Sequence, residues 1–199
     1  MPSDRVLHLL GSAAEPVLGV RRAVERAQAR GWEVCLGLTA TAADWLADDL
    51  PALEALTGHR VKQRYRRPGD PEVWPAPNAV LLAPATFNTL NSWALGITDS
   101  WVVGFASEAI GKGVPLAAAP CVNGALVAHP QFGRSLATLR AAGVLVLPTP
   151  EGSAADAAGP TLPPGEEPGA EPPGFDWESA LDAAERAVER AVERALGRT

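Results

Sequence analysis

Short apolar runs alternate along this chain with stretches in which apolar residues recur every three to four positions. Arg5–Leu10 is the first run and ends at Gly11-Ser12. Val17, Val20, Val24 and Ala27 then share one helical face up to Arg30, and Gly31 supplies a stop. Glu33–Thr39 predicts a second strand, followed by helical spacing as far as Leu56. His59–Arg66 alternates Val61, Gln63 and Tyr65, the pattern of an exposed strand or extended arm, and Arg66–Pro77 is a Pro-rich loop. Ala79–Ala83 predicts a third buried strand, with helices over Asn88–Gly96 and Ser100–Gly111. Val114–Pro120 predicts a central strand, Gly124–Ala142 helix in one or two pieces, and Val144–Pro148 a last strand.

Wholly apolar strands separated by helices predict an α/β fold, a parallel sheet covered by helices on both faces. Ligands of such sheets bind outside the carboxyl ends of the strands, so the strand ends carry the functional question. Beyond Pro148 the pattern stops. Residues 148–174 are rich in Pro, Gly, Ala and Glu and read as a linker. Asp176 then caps a helix that Gly197 closes, with Leu181, Ala184, Val188, Val192 and Ala195 near one face. This helix is expected to pack on its own domain or on a neighbouring subunit. The chain thus divides into a ligand-binding domain over 1–147, the linker over 148–174 and a helix over 175–199, with the last two dispensable for binding.

Composition narrows the partners. The 199 residues are 47% hydrophobic and 20% charged, with a formal net charge of -6. The acidic balance argues against nucleic acid. No charged-then-apolar leader opens the chain, and no run approaches the ~18 apolar residues of a membrane span. Two cysteines, Cys35 and Cys121, are too few for a metal cage or a disulfide framework. A soluble, cytoplasmic chain with reduced thiols, no metal and no membrane partner is the expectation.

Three strand ends carry similar chemistry. They read Gly11-Ser12-Ala13-Ala14, Thr39-Ala40-Thr41-Ala42 and Ala85-Thr86-Phe87-Asn88-Thr89. Small hydroxyls and glycine beside a helix N-terminus make a phosphate cradle, because that terminus has free N–H groups and a partial positive charge. Plain helix capping by Ser and Thr is the competing explanation. No G-x-G-x-x-G or G-x-x-x-x-G-K-[ST] sequence is present, which weighs against a generic dinucleotide or triphosphate site.

Pro84–Ser100, "PATFNTLNSWALGITDS", resembles the PASANT motif of the homo-oligomeric flavin-containing cysteine decarboxylases, including its downstream Gly96-Ile97 and Asp99. Pro120–Pro130, "PCVNGALVAHP", looks like the substrate clamp of that family. The resemblance covers Arg5 to Leu147. It implies a Rossmann-like, flavodoxin-like flavoprotein that binds FMN at a subunit interface of a homo-oligomer, a trimer or trimers assembled further into a dodecamer. In that family FMN oxidises the thiol of a peptidyl or small-molecule cysteine, and the thioaldehyde loses carbon dioxide to give an enethiol. Carried over, Gly11, Ser12, Thr39 and Thr41 would meet the phosphate and ribityl chain. Ala85, Thr86, Asn88, Thr89 and Asp99 would complete the flavin site. Asn123 would bind the substrate carboxylate or amide, with Asn88, also near the substrate, as the second catalytic position.

The pattern also departs from the family. The segment before the motif strand carries no histidine, and the family's spacing lands near Asp70. Of the three histidines, His8 is expected in the core, His59 in solvent, and His129 orienting the clamp turn, with proton transfer as its alternative role. Cys121 and Val122 replace the usual clamp residues, making Cys121 either a thiol beside the flavin or a small packing residue, and Cys35 is expected in the core. Trp93 and Trp101 flank the motif helix, for the flavin, a neighbouring subunit or the core. Arg60, Lys62, Arg64, Arg66 and Arg67 form a solvated arm or one that reaches an anion. The missing histidine keeps a non-catalytic flavin-binding regulator or accessory subunit as an alternative. A flavin prenyltransferase is a third.

Overall fold

A computed structural model of the chain describes residues 5–71, 74–149 and 175–197. Strands β1 (Val6–Gly11), β2 (Glu33–Leu38), β3 (Ala79–Ala85), β4 (Leu116–Pro120) and β5 (Leu145–Val146) form one sheet in the order β2-β1-β3-β4-β5. Every pairing is parallel. The first four strands are almost wholly buried, which is why they read as unbroken apolar runs. The α/β fold expected from that pattern is the fold observed.

Two boundaries move for identifiable reasons. β3 runs past Pro84, where the sequence pattern ends the strand because proline has no N–H to give a ladder. Its carbonyl still serves as an acceptor, Ala85 pairs with Pro120, and the register shifts between Leu82 and Ala85. The helical stretch after β2 is two helices, α2 (Ala40–Trp45) and α3 (Leu50–Thr57), with Pro51 in the first turn of α3 where its missing N–H does no harm. Likewise a 3₁₀ turn over Glu15–Gly19 precedes α1 (Val20–Ala29). The Gly124–Ala142 stretch is α6 (Gly124–Val127) and α7 (Pro130–Ala141), divided before Pro130.

The sheet separates two apolar cores. One joins Leu7, Leu9, Leu36 and Leu81 to α1, α2 and α3. The other joins Leu10, Val80 and Leu82 to α4 (Phe87–Leu95), α5 (Trp101–Gly111) and α7. Helix α8 (Trp177–Leu196) completes the first core, against β3, β4 and α1. Trp177, Ala180, Leu181, Ala183, Ala184 and Ala187 are buried there. Charges frame the contact: Arg30 pairs with Asp182 at 2.7 Å and with Glu178, and Arg26 with Glu178 at 3.1 Å. The helix that follows the linker is therefore a layer of the sheet domain, the first of its two expected placements. The division into three segments describes chain order, not separate packing. Most of the linker lies outside the described residues. Val192 and Leu196, beyond the contact, are exposed. Among the described residues no helix is long and apolar enough to cross a membrane, and no acidic, His or Cys cluster could hold a metal ion.

Candidate functional site

Strand order reverses between β1 and β3, since β2 lies on one side of β1 and β3 on the other. A crevice at the carboxyl ends of these two strands is where a doubly wound sheet takes its ligand. Ser12 spans that point. Its N–H and its hydroxyl both donate to the Pro84 carbonyl, at 3.0 and 2.7 Å, and the hydroxyl accepts from the Thr86 N–H at 3.1 Å. Ser12 is buried and both its donors are engaged. It fixes the start of α4 to β1 and presents no free donor. Gly11 is also buried, and a Cβ there would stand 3.1 Å from both Leu38 and Val17. Glycine at this position makes room for those neighbouring side chains.

The remaining motif residues divide into supports and free groups. The Thr86 hydroxyl caps α4 and lies 2.9 Å from the Thr89 hydroxyl, and Thr89 is buried. Ala85 is buried as well, and its carbonyl accepts the Cys121 N–H at 2.9 Å, tying the end of β4 to that of β3. Thr39 caps α2 through a long bond of 3.4 Å from the Ala42 N–H. Asn88 and Thr41 are exposed, and the Asn88 side chain makes no hydrogen bond among the described residues. The N–H groups of Phe87 and Asn88, at the head of α4, also lack acceptors there. Asp99 is exposed between Thr98 and Ser100, whose carbonyls both accept from the Tyr65 hydroxyl. Those two carbonyls tie the basic arm to the start of α5.

The clamp turn supplies a second polar group. Asn123 caps α6: its Oδ1 accepts the Leu126 N–H at 2.9 Å, which leaves its amide NH2 unengaged among the described residues. His129 caps α7 in the same manner, with Nδ1 accepting the Gln131 N–H at 3.1 Å. Its ring meets that of Phe87 edge-on at 5.6 Å, and Phe87 stacks on Phe132 at 6.3 Å. Below them the Ser135 hydroxyl donates to Asn91 at 2.7 Å. The motif helix and the clamp helix thus share one aromatic and hydrogen-bonded seam. Nothing in the spacing of Phe87, His129 and Phe132 along the chain announces it, because the contact crosses two βα units.

Other expectations resolve as follows. Burial pushes the Cys121 thiol up to about 11, with the Glu15 charge adding to the effect, so it is protonated at neutral pH. That favours the packing role for Cys121 over a reactive thiol, and Cys35 is buried in the core. His8 is buried, with Nε2 3.0 Å from the Pro75 carbonyl and its ring against Trp74 and Phe105. His59 is not in open solvent: its Nε2 lies 2.8 Å from a Glu33 carboxylate oxygen. Trp93 and Trp101 are core residues. Gly37 makes room for Trp101, since a Cβ there would lie 2.4 Å from the indole. The basic arm is anchored by Lys62, whose backbone bridges to Gly37 and whose ammonium lies 4.4 Å above Trp74. Asp70 closes a turn by accepting the Arg67 N–H at 2.8 Å.

The corner therefore offers neutral donors: the Asn88 and Asn123 amides, the Thr41 hydroxyl and two backbone N–H groups. Exposed Trp45, Leu126 and Val127 belong to the helices that follow the same strand ends. Polar donors beside exposed apolar side chains suit a ligand with a flat apolar ring and a polar, anionic tail, and a flavin fits that description.

Comparison with known proteins gives the same picture. The solved structure of the FMN-dependent cysteine decarboxylase TvaF from thioviridamide biosynthesis superposes with a TM-score of 0.65 at 23% identity, covering 94% of this chain and 99% of that one. The cypemycin decarboxylase CypD gives a TM-score of 0.68 at 20% identity over 95% and 96% of the two chains. HAL3 from Cryptococcus neoformans gives 0.60 at 18% identity over 94% and 98%. At these identities the likeness establishes the fold. No curated protein matches the chain. The profile of the flavoprotein family matches residues 6–162, and the chain belongs to that family.

Proposed function

We propose that the chain binds FMN at the corner between β1, β3 and β4 and oxidatively decarboxylates a cysteine at the end of a peptide or of a small molecule. Bound FMN would supply a two-electron acceptor, so that the thiol becomes a thioaldehyde able to release carbon dioxide and leave an enethiol. The observation that carries the reading is the unengaged amide NH2 of Asn123, two residues past the Cys121 N–H that ties β4 to Ala85 at the motif corner. Asn123 holds the carboxylate by hydrogen bonding, with its orientation fixed because Oδ1 is tied to Leu126. Thr41, Asn88 and the head of α4 hold the cofactor's polar tail, while Ser12, Thr86 and Thr89 keep that head in place.

The donors are all uncharged, and this suits the chemistry. A carboxylate loses its charge as it leaves, so a cation bound to it would stabilise the starting state more than the transition state. Neutral donors orient the group without that cost. A free cysteine supplies a few per cent thiolate at neutral pH, so the missing histidine slows such a reaction by about 10²–10⁴-fold and does not abolish it. Assembly into a homo-oligomer belongs to the proposal, supported by exposed Leu95 and Ile97 at the end of α4 and by Trp45 on α2.

The test is incubation of FMN-loaded protein with peptides ending in cysteine, following loss of CO2 and two hydrogens by mass spectrometry. Activity in the wild type and none in Asn123→Ala supports the reading. Inactivity of flavin-loaded wild type across a broad set of thiol acids favours a second one, a non-catalytic flavin-binding accessory protein. Asp70 favours that second reading, because the carboxylate nearest the family's histidine position is engaged in its own turn.

A further inference from the structure

His129 caps α7, the helix that follows the one Asn123 caps, and its ring lies against the first residue of the motif helix. A neutral imidazole has one donor and one acceptor nitrogen, and the neighbour that holds one nitrogen decides the role of the other. Here the neighbour is a backbone N–H, that of Gln131, which can only donate, so Nδ1 must be the acceptor. The ring hydrogen is then on Nε2, which has no partner among the described residues. Asn123 repeats the arrangement: its acceptor oxygen is turned inward to cap α6, and its donor nitrogen is left over. The caps of two successive helices thus each tie down an acceptor and release a donor.

Resting on the reading above, we infer that His129 is a second, uncharged hydrogen-bond donor to the substrate's carboxylate, its tautomer locked by the Gln131 backbone, and that it does not act as a base. A base at Nε2 would need a lone pair where this tautomer carries a hydrogen. A base at Nδ1 would have to break the cap of α7. The edge-on contact with Phe87 and the stack of Phe87 on Phe132 hold the ring plane, so Nε2 is fixed relative to the head of α4. Gln131 is itself held, its side chain donating to Ser135 at 3.0 Å. The substrate class follows: a thiol with a free carboxylate at its terminus, discriminated from the corresponding carboxamide. Two neutral donors keep the carboxylate in place up to the moment it departs.

Two measurements test this. On 15N-labelled, flavin-free protein at pH 7.5, long-range 1H–15N spectra read the tautomer of each of the three histidines, with His129 assigned by its loss in His129→Gln. The expected pattern for His129 is a protonated Nε2 and an unprotonated Nδ1; a protonated Nδ1 overturns the inference. On FMN-loaded protein, binding is compared for a peptide with a C-terminal cysteine as free acid and as amide. His129→Phe keeps a ring beside Phe87 but has no donor, and is expected to weaken binding of the acid about tenfold or more, as for one hydrogen bond to a charged group. It should leave the amide within twofold, and His129→Gln should recover most of the loss for the acid. Equal weakening of both peptides, or no recovery in His129→Gln, overturns the inference. Because the tautomer is read without flavin, its failure is distinct from a failure to bind FMN, which overturns the reading beneath it.

Discussion

Replacing Ser12 by alanine removes one oxygen and should unsettle the whole corner. In the wild type that oxygen donates to Pro84 at 2.7 Å and accepts from Thr86 at 3.1 Å. The Pro84 carbonyl keeps a second donor, the Ser12 N–H at 3.0 Å, so its loss is the modest net value of one hydrogen bond. The Thr86 N–H has no other acceptor among the described residues and lies at the half-buried head of α4, where an unmade bond carries the larger desolvation penalty. Together these predict a destabilisation of about 2–3 kcal/mol. With a urea slope of about 2 kcal/mol/M, the midpoint should fall by about 1–1.5 M. Thr39→Ala is the control, since it removes a cap bond of 3.4 Å and should cost only about 0.5–1 kcal/mol. The structural task assigned to Ser12 also predicts weaker flavin retention in Ser12→Ala, through displacement of the α4 head. If the urea midpoint of Ser12→Ala falls no further than that of Thr39→Ala, the bridge is not what holds the corner.

Removal of α8 is the second perturbation. Trp177 and Leu181 are fully buried against the sheet, so a chain ending at Leu147 should lose cooperative unfolding, and Trp177→Ala alone should cost about 3–5 kcal/mol in urea denaturation. A truncated chain with wild-type stability would show that the helix is an appendage after all. Cys121, held up at about 11 against an ordinary value near 9, should alkylate about a hundredfold more slowly than a free thiol at neutral pH. Its folded form keeps the proton while the unfolded chain gives it up, so its contribution to stability is present below about pH 9 and is lost as pH rises toward 11. A Cys121→Ser variant whose stability fell just as steeply over that window would remove Cys121 as the cause.

Much of this was legible in the chain. The strands announced themselves because both faces of each are buried, so period-two alternation never arises to confuse the pattern. The polar handover at Thr86–Thr89 was legible as well, since only a strand end meeting a helix start needs so many short hydrogen-bonding side chains. Which of those groups face a ligand was not legible. Ser12, Thr86 and Thr89 have the chemistry of a phosphate cradle, yet Thr86 and Thr89 bond to each other, and Ser12 bonds to Pro84 and Thr86 across seventy-odd residues of chain. Local spacing carries no record of such partners. The same holds for His59, which pairs with Glu33 on the neighbouring strand β2, and for the seam of Phe87, His129 and Phe132. For α8, the four-residue repeat revealed an apolar face. It could not say that the face would cover β3 and β4, because no turn signal links the helix to either strand.

The account stands on flavin binding at the β1–β3 crevice, and titration of the purified protein with FMN measures it directly. Quenching of flavin fluorescence should show saturable binding, with riboflavin, which lacks the phosphate, binding at least tenfold more weakly. Asn88→Leu combined with Thr86→Val removes several hydrogen-bonding groups, each worth about 0.5–1.5 kcal/mol, and should cut affinity by tenfold or more. Protein that is folded by circular dichroism and takes up no FMN, or that binds it equally well in the double variant, would contradict the account.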